Sequence, residues 1–430
     1  MFHRVPVLSE HAVLRYFTFG YLYFMQGVPS GFALTALTNY LTAQGLPSTT
    51  IGAFASLVGL PWVTQLVWGP LIDRYRWSVV GHYKHWVLLT QWAALVASLL
   101  LLFVEHPAQQ PILLASLFLV HALFASVQDA SVDAMAITIT PEAERGRVNA
   151  FMRGGLLLGI SFGAAALSVV LHRYGYRTAV LLQSGILLLF NIIFFFTRLY
   201  RHDPLLPQRP GKNAPQVVTA SDANIKKLFK QLVSVLLQRR SLHTFGFIAA
   251  CYFLFYIFIR SVNFYLIRNL GWPDEELSVL TGGWGSAVTL VVVIGGGYFG
   301  DKVGHRRLQQ HVLWVVSLFL ILFNTALLVG PPGKTVLQGG LLFWGIADPL
   351  YSIAVFPLLM GLCVTHLAGS QFTAYMALIN LTDIGGAYFN GWLLRVVPAP
   401  YLGLGAGVIL LAMAIRLFAR SRTPASSGTG

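Results

Sequence analysis

Long apolar runs alternate with short polar stretches along the whole chain. Roughly twelve runs stand out, each about the 20 residues a helix needs to cross a bilayer. They cover residues 14–42, 49–72, 86–104, 111–138, 148–171, 178–198, 243–268, 276–300, 309–329, 336–363, 369–395 and 401–419. The runs are continuous and do not alternate apolar with polar, so they predict helices and not barrel strands. The expected fold class is an all-α polytopic membrane protein with 12 transmembrane helices in two six-helix halves.

Composition agrees. Hydrophobic residues make up 56% of the 430 positions and charged residues only 10%, against about 25% charged in soluble domains. The formal net charge is +14, but the cations sit in short patches between apolar runs. That pattern points to the positive-inside rule and away from nucleic acid. Arg74, Arg76, Lys84, Arg145, Arg147, Lys302, Arg306, Arg307, Arg420 and Arg422 fall in even-numbered connections and the tail. The odd-numbered connections hold only Arg173, Arg177, Arg268, Lys334 and Arg395. Both termini are therefore expected in the cytoplasm. Cys251 and Cys363 read as small core residues, with no disulfide or metal framework. Residues 1–11 do not form a cleavable signal peptide, because the apolar run after them is too long.

The longest polar connection divides the chain into 1–198, a linker at 199–242, and 243–430. Pro204, Pro207, Pro210 and Pro215 make the first part of the linker a flexible segment. In its second part Ile225, Leu228, Phe229, Leu232 and Leu236 recur at helical spacing around Lys226, Lys227 and Lys230. That is an amphipathic helix suited to the inner leaflet. A repeat supports the division: Gly69 to Arg74 and Gly297 to Lys302 both read G-x-x-x-D-[RK], each at the end of its half's second helix, and a Gly-His pair follows each copy. Asp73 with Arg74, and Asp301 with Arg306, are candidate gate residues, since a carboxylate beside cations at a helix end can latch two halves. The alternative is a solvated topogenic loop.

Charges inside the runs carry the functional signal, because an ionised side chain at mid-bilayer costs about 2.5–3.5 kcal/mol on insertion scales. Asp129 and Asp133 lie four apart and share a helical face. Arg153, at the start of the fifth helix, is the expected partner of Asp133, as gate or as structural bridge. Tyr252, Tyr256, Arg260 and Asn263 align on the seventh helix. Arg260 can pair with an anionic group of a solute, or with Asp348 or Asp383. Asp348, with Tyr351 one turn on, and Asp383, with Asn380 and Asn390, sit near the middles of their helices. Asp129, Asp348 and Asp383 are the candidate proton carriers, with satisfied helix–helix contacts as the plain alternative. Tyr23, Gln26 and Ser30 form an uncharged polar stripe on the first helix.

These features resemble the major facilitator superfamily: two six-helix halves, a cytoplasmic linker and the G-x-x-x-D-[RK]-x-G-[RH]-[RK] loop, matched best by Gly297 to Arg307. The first copy departs from it, with Tyr75 to Val80 inserted before Gly81. That longer loop, with Trp68, Asp73, Arg74 and Tyr75, is similar to AmpG-type muropeptide permeases and the wider peptide/acetyl-coenzyme A transporter group. Gln128 to Ala134 (Q-D-x-x-x-D-A) and Glu144 to Gly146 (E-R-G) look like the same group. The twelve-helix length looks more like siderophore importers of the RhtX/FptX type. The resemblance implies that the first, fourth, seventh and tenth helices line a central cavity, with Gln26, Asp129, Tyr252, Tyr256, Arg260, Asn263, Asp348 and Tyr351 as solute contacts. It implies a proton-coupled secondary transporter of a bulky polar small-molecule solute in the bacterial inner membrane. A siderophore is the favoured solute and a muropeptide the close alternative. The expected partners are the solute, the proton and membrane lipid, with no nucleic acid and a monomeric state. There is no P-loop for direct ATP drive. No cofactor and no metal site are expected, since His82, His85, His305 and His311 lack ligand spacing. The chain is not expected to be an enzyme; a membrane-embedded acyltransferase and a non-transporting receptor are the rivals from other classes.

Overall fold

The computed structural model of the chain describes residues 7–74, 83–141, 144–201, 203, 225–364 and 368–422. Among these residues every regular element is helical. Nine helices are long and apolar enough to cross a membrane: Lys84–Phe103, Pro111–Ile139, Arg147–Tyr174, Tyr176–Phe196, Arg239–Arg268, Asp274–Val293, His305–Val329, Lys334–Met360 and Ala399–Ala419. Three further rods, at 12–43, 48–74 and Ala368–Leu393, fall on the other sequence-predicted runs, and each predicted boundary lies within four residues of a helix end.

These three rods are less regular or more polar for visible reasons. Pro61 sits in the 3₁₀ turn Leu60–Val63 that interrupts 48–74. Pro29 lies just before the π-helical turn Phe32–Leu37 within 12–43. Ala368–Leu393 carries Asn380, Thr382, Asp383 and Asn390. Two more π-helical turns, Phe162–Ala166 and Val279–Trp284, interrupt the 145–174 and 274–303 rods and pack against each other.

Alternating helix direction gives the molecule a terminal end, where residues 12, 196, 239 and 422 lie, and a loop end with the connections near 45, 107, 175, 271, 331 and 396. The buried cores separate along the chain. Two clusters draw on residues within 8–199 and another on residues within 248–414. Within the first set, 12–43 and 145–174 meet backbone to backbone. A Cβ on Gly155, Gly159 or Gly163 would lie 2.0, 2.1 or 2.0 Å from the carbonyl oxygens of Gly20, Phe24 and Val28. Small residues every four positions are what such an approach requires in lipid. The corresponding contact between Arg239–Arg268 and Ala368–Leu393 is looser: a Cβ on Gly386 would meet the Tyr256 side chain at 3.0 Å.

The two sets meet toward the loop end. Ser48 and Ser56 donate to the carbonyls of Gly391 (2.8 Å) and Ile384 (3.0 Å), Asn39 to the Ser278 hydroxyl (2.9 Å), and Ser161 to the Gly283 carbonyl (3.3 Å). A Cβ on Gly52 would lie 2.5 Å from the Ala387 carbonyl oxygen, so backbone closes this seam too. Among the described residues, the hydrogen bonds between the sets lie in the loop-end half. The helix Ile225–Leu236 packs on Arg239–Arg268 and Ala368–Leu393, burying Leu232 and Val235 while Phe229, Val233 and Leu237 stay exposed. The Pro-rich part of the linker and the Gly81–His82 pair lie outside the described residues.

Candidate functional site

A cavity of about 330 Å³ lies between the two sets of helices. Thr35, Thr38 and Asn39 line it from 12–43, and Ser48 and Ile51 from 48–74. Tyr256, Arg260 and Asn263 face it from Arg239–Arg268, and Asp383 and Asn390 from Ala368–Leu393. Its polar lining is therefore mostly hydroxyl and carboxamide, around one guanidinium and one carboxylate.

That charged pair forms part of the cavity wall. Arg260 Nη2 donates to Asp383 Oδ1 at 2.5 Å, so of its two candidate carboxylate partners Arg260 pairs with Asp383. Both side chains are about one quarter to one third exposed, at 24% and 31%, which leaves each reachable from the cavity. Pairing offsets the cost of holding either charge inside the bundle. Arg260 Nε and Asn263 Oδ1 are buried without a hydrogen-bond partner. Asn390 accepts from the Ser261 hydroxyl at 2.6 Å, a second tie between the two helices that carry the ion pair.

Tyr252 and Tyr351 stand differently from the expectation. Tyr252 is buried, bonded to the Ser352 hydroxyl at 2.8 Å and packed edge-on to Tyr351 at 5.3 Å. Tyr351 is wholly buried beside Phe255. Neither lines the cavity. Tyr256, Arg260 and Asn263 of the helical stripe face the cavity, but Tyr252 turns into the core of its own set, where large aromatic rings fill space. Tyr252 stacks on Tyr256 at 6.0 Å and so backs the cavity wall. Asp348 does not line the cavity either. Its Oδ1 is buried without a partner, and it lies within electrostatic range of Tyr252, Tyr256 and Asp383.

A second polar cluster occupies the first set. Gln65 Nε2 donates to Asp129 Oδ2 at 2.7 Å, and the Tyr23 hydroxyl donates to Asp133. Arg153 lies within electrostatic range of both carboxylates but is not in ion-pair contact with Asp133. Tyr23 takes the place expected for Arg153, because the glycine seam draws 12–43 against its neighbours while Arg153 stays exposed. Asp133 opens on a separate cavity of about 280 Å³ toward the terminal end, lined also by Asn149 and Met152. Gln26 lies deeper, buried beside His121, and away from the main cavity.

Of the gate candidates, the side chains of Asp73, Arg74 and Asp301 lie outside the described residues, and Arg306 is exposed. Sequence reasoning missed a latch at the terminal end. Arg15, 2% exposed, donates to the Leu8 carbonyl (2.6 Å) and to Glu144 Oε2 (2.6 Å). The Arg15 guanidinium holds the Glu144 carboxyl below the usual carboxylate range. It also missed Gln65, an uncharged residue whose only signal is its place in an apolar run. Among the described residues no group of His, Cys, Asp and Glu forms a metal cluster.

Comparison with known proteins adds three findings. The sequence model of the Major Facilitator Superfamily matches residues 19–387. The anhydromuropeptide permease of Escherichia coli K12 is 27% identical over 377 residues, which is 86% of this chain and 72% of the permease. A putative transporter AmpG 3 of Rickettsia prowazekii is 21% identical over 296 residues, 66% of this chain and 68% of that protein. Among solved structures, a POT family transporter in complex with a thioalcohol-conjugated peptide superposes with a TM-score of 0.70 at 11% identity, covering 95% of this chain and 96% of that one. The inward open xylose transporter XylE of E. coli gives 0.68 at 12% identity, covering 96% and 98%. At these identities the structures show a common fold.

Proposed function

We propose the following from the fact that the chain belongs to the Major Facilitator Superfamily: it is a secondary transporter that carries an amide- and hydroxyl-rich solute of the muropeptide type through the cavity at Arg260 and Asp383. The chain is a multi-pass membrane protein of a transporter family. In this proposal the rods at 12–43, 48–74 and 368–393 also cross, giving twelve spans in two pseudo-symmetric halves, residues 1–198 and 243–430. The terminal end faces the cytoplasm of a bacterial inner membrane, by the distribution of Lys and Arg.

The observation that carries the reading is the cavity itself. It lies between two separately cored sets of helices, joined toward one end, and it is lined by Thr, Ser and Asn around one ion pair. Carboxamides and hydroxyls hydrogen-bond sugar hydroxyls and peptide amides, and the pair meets a zwitterionic group without leaving a charge unmatched. Its volume of about 330 Å³ takes one sugar-sized unit. Rocking of the halves would widen it for the rest of a bulky solute. The relatives named for a solute are anhydromuropeptide permeases, and the siderophore reading draws no support from them.

Proton coupling is assigned to Asp129 and Asp348. Both carboxylates can exchange charge for a proton without breaking an ion pair, whereas Asp383 is held by Arg260. Asp73, Arg74, Asp133, Arg153, Asp301 and Arg306 remain the proposed gate at the cytoplasmic end, and the monomer is the proposed working unit.

Counterflow in proteoliposomes tests the reading. Vesicles preloaded with anhydromuropeptide are expected to accumulate labelled anhydromuropeptide, and Arg260→Ala is expected to abolish this in folded protein. Counterflow of a ferric siderophore with none of muropeptide would replace the proposed solute. Counterflow of neither, with release of a covalently changed product, would favour an enzyme.

A further inference from the structure

We infer that His172 and Asp274 form a proton-operated lock between the two halves at the loop end. His172 lies in the last turn of the 145–174 helix, and Asp274 opens the 274–303 helix of the other half. His172 Nε2 sits 3.1 Å from Asp274 Oδ2 and 3.2 Å from Oδ1, and Asp274 is buried. His172 Nδ1 sits 2.9 Å from the Ser168 carbonyl oxygen.

These two contacts together decide the charge state. A carbonyl and a carboxylate are both acceptors, so each ring nitrogen must carry a hydrogen. Neutral imidazole has one N–H. Only imidazolium satisfies both sides at once. When the proton leaves, a bare nitrogen faces either the Asp274 carboxylate or the Ser168 carbonyl, and the link between the halves weakens. Imidazole is also the side chain whose ordinary titration falls between pH 5 and 8.

Tyr40 is the titratable neighbour of this pair, within electrostatic reach of Asp274. The Tyr40 ring, from the 12–43 helix, packs edge-on against His172 with centroids 6.0 Å apart. Arg177 is engaged by Glu105 at 3.4 Å, and Glu276 by Lys334 at 2.6 Å. Arg268 turns to the Thr42 carbonyl at 3.4 Å. Arg173 and Glu275, adjacent in sequence to the two partners, remain outside the bridge. The neutral Asn39–Ser278 bond lies beside it and holds the same seam at every pH. The lock is thus the titratable element of this seam, and in the proposed orientation it is reached from outside the cell. A proton arriving there closes the outer side.

Distance measurement between spin labels tests this without a solute, so its failure is separable from failure of the transport reading. Tyr174→Cys and Asn269→Cys, in a background with Cys251 and Cys363 changed to Ala, place one label on each half in nanodiscs. The closed, short-distance population is expected to rise about tenfold relative to the open one from pH 8.0 to pH 5.5, the size of one charge-assisted hydrogen bond. His172→Gln is expected to remove the pH response, and His172→Arg, a permanent cation, to keep the closed population at both values. Distances that do not change with pH in the otherwise unaltered protein, or a pH response that survives in His172→Gln, would overturn the inference. The His172→Arg result stands even where the Gln variant fails to fold.

Discussion

Asp129 and Asp133 of the first set and Asp383 of the second hold their charge in opposite ways, while Asp348 Oδ1, also in the second set, is buried without a partner. In the first, Asp129 and Asp133 receive hydrogen bonds from neutral donors, Gln65 and Tyr23, and the nearby guanidinium of Arg153 stays apart. In the second, Asp383 is bonded directly to Arg260 and faces the cavity. The packing differs in parallel. Backbone meets backbone along the glycine seam of the first set, while the second set leaves room for Tyr256 between its helices. A rigid wall with uncompensated carboxylates suits proton exchange, and a looser wall with a matched ion pair suits a solute. In the proposed mechanism the Arg260–Asp383 pair meets the solute, while Asp129 and Asp348 carry the proton.

The largest expected effect bears on the seam. Gly159→Leu would drive a side chain into the Phe24 carbonyl oxygen, which leaves only 2.1 Å for a Cβ. It should lower stability by about 4 kcal/mol, read as an early thermal transition in detergent. Gly386→Ala in the second set should cost about 1 kcal/mol, since at 3.0 Å from the Tyr256 Cβ the helices need to part by only a few tenths of an ångström. Equal losses at both positions would erase the packing contrast.

Next comes the ion pair. Arg260→Ala alone should destabilise by roughly 2–4 kcal/mol because it strands Asp383, and Arg260→Met with Asp383→Leu should recover most of that. Both variants should lose solute binding, which separates the structural role from the functional one. Removing a neutral donor should matter less: Tyr23→Phe leaves Asp133 one hydrogen bond short, at about 1–3 kcal/mol. A Tyr23→Phe loss as large as that of Arg260→Ala would contradict the difference between the clusters.

The smallest effect is at the terminal end. The Glu144 carboxyl is held low by Arg15, so its contribution is present above the ordinary carboxylate pKa of about 4.3 and is lost as pH falls through the lowered folded value. Glu144→Gln should lower the neutral plateau of a stability–pH curve slightly, flatten its acid limb, and leave stability below the lowered folded value nearly unchanged.

Much of the architecture was legible because a bilayer imposes a length on every apolar run, and the linear pattern carries that length directly. The importance of Arg260 and Asp383 was legible for the same reason, since charges are expensive there. Their pairing was not. They are 123 positions apart, and Asp348 fitted the sequence equally well until the helices were placed. Arg153 was matched to Asp133 through the short loop between their helices, but Tyr23, 110 positions from Asp133, reaches it from the 12–43 helix. Gln65, Arg15 and the His172–Asp274 bridge were invisible for a related reason: each owes its role to a partner that only folding brings near. The π-helical turns likewise arise where rods press together, and no local run of residues announces them.

The division of labour is tested most directly by measuring solute-evoked proton movement and solute counterflow in the same proteoliposomes. Asp129→Asn is expected to keep counterflow and lose the proton signal, whereas Asp383→Asn is expected to lose both. Proton movement that persists in Asp129→Asn, or counterflow that persists in Asp383→Asn, would contradict it.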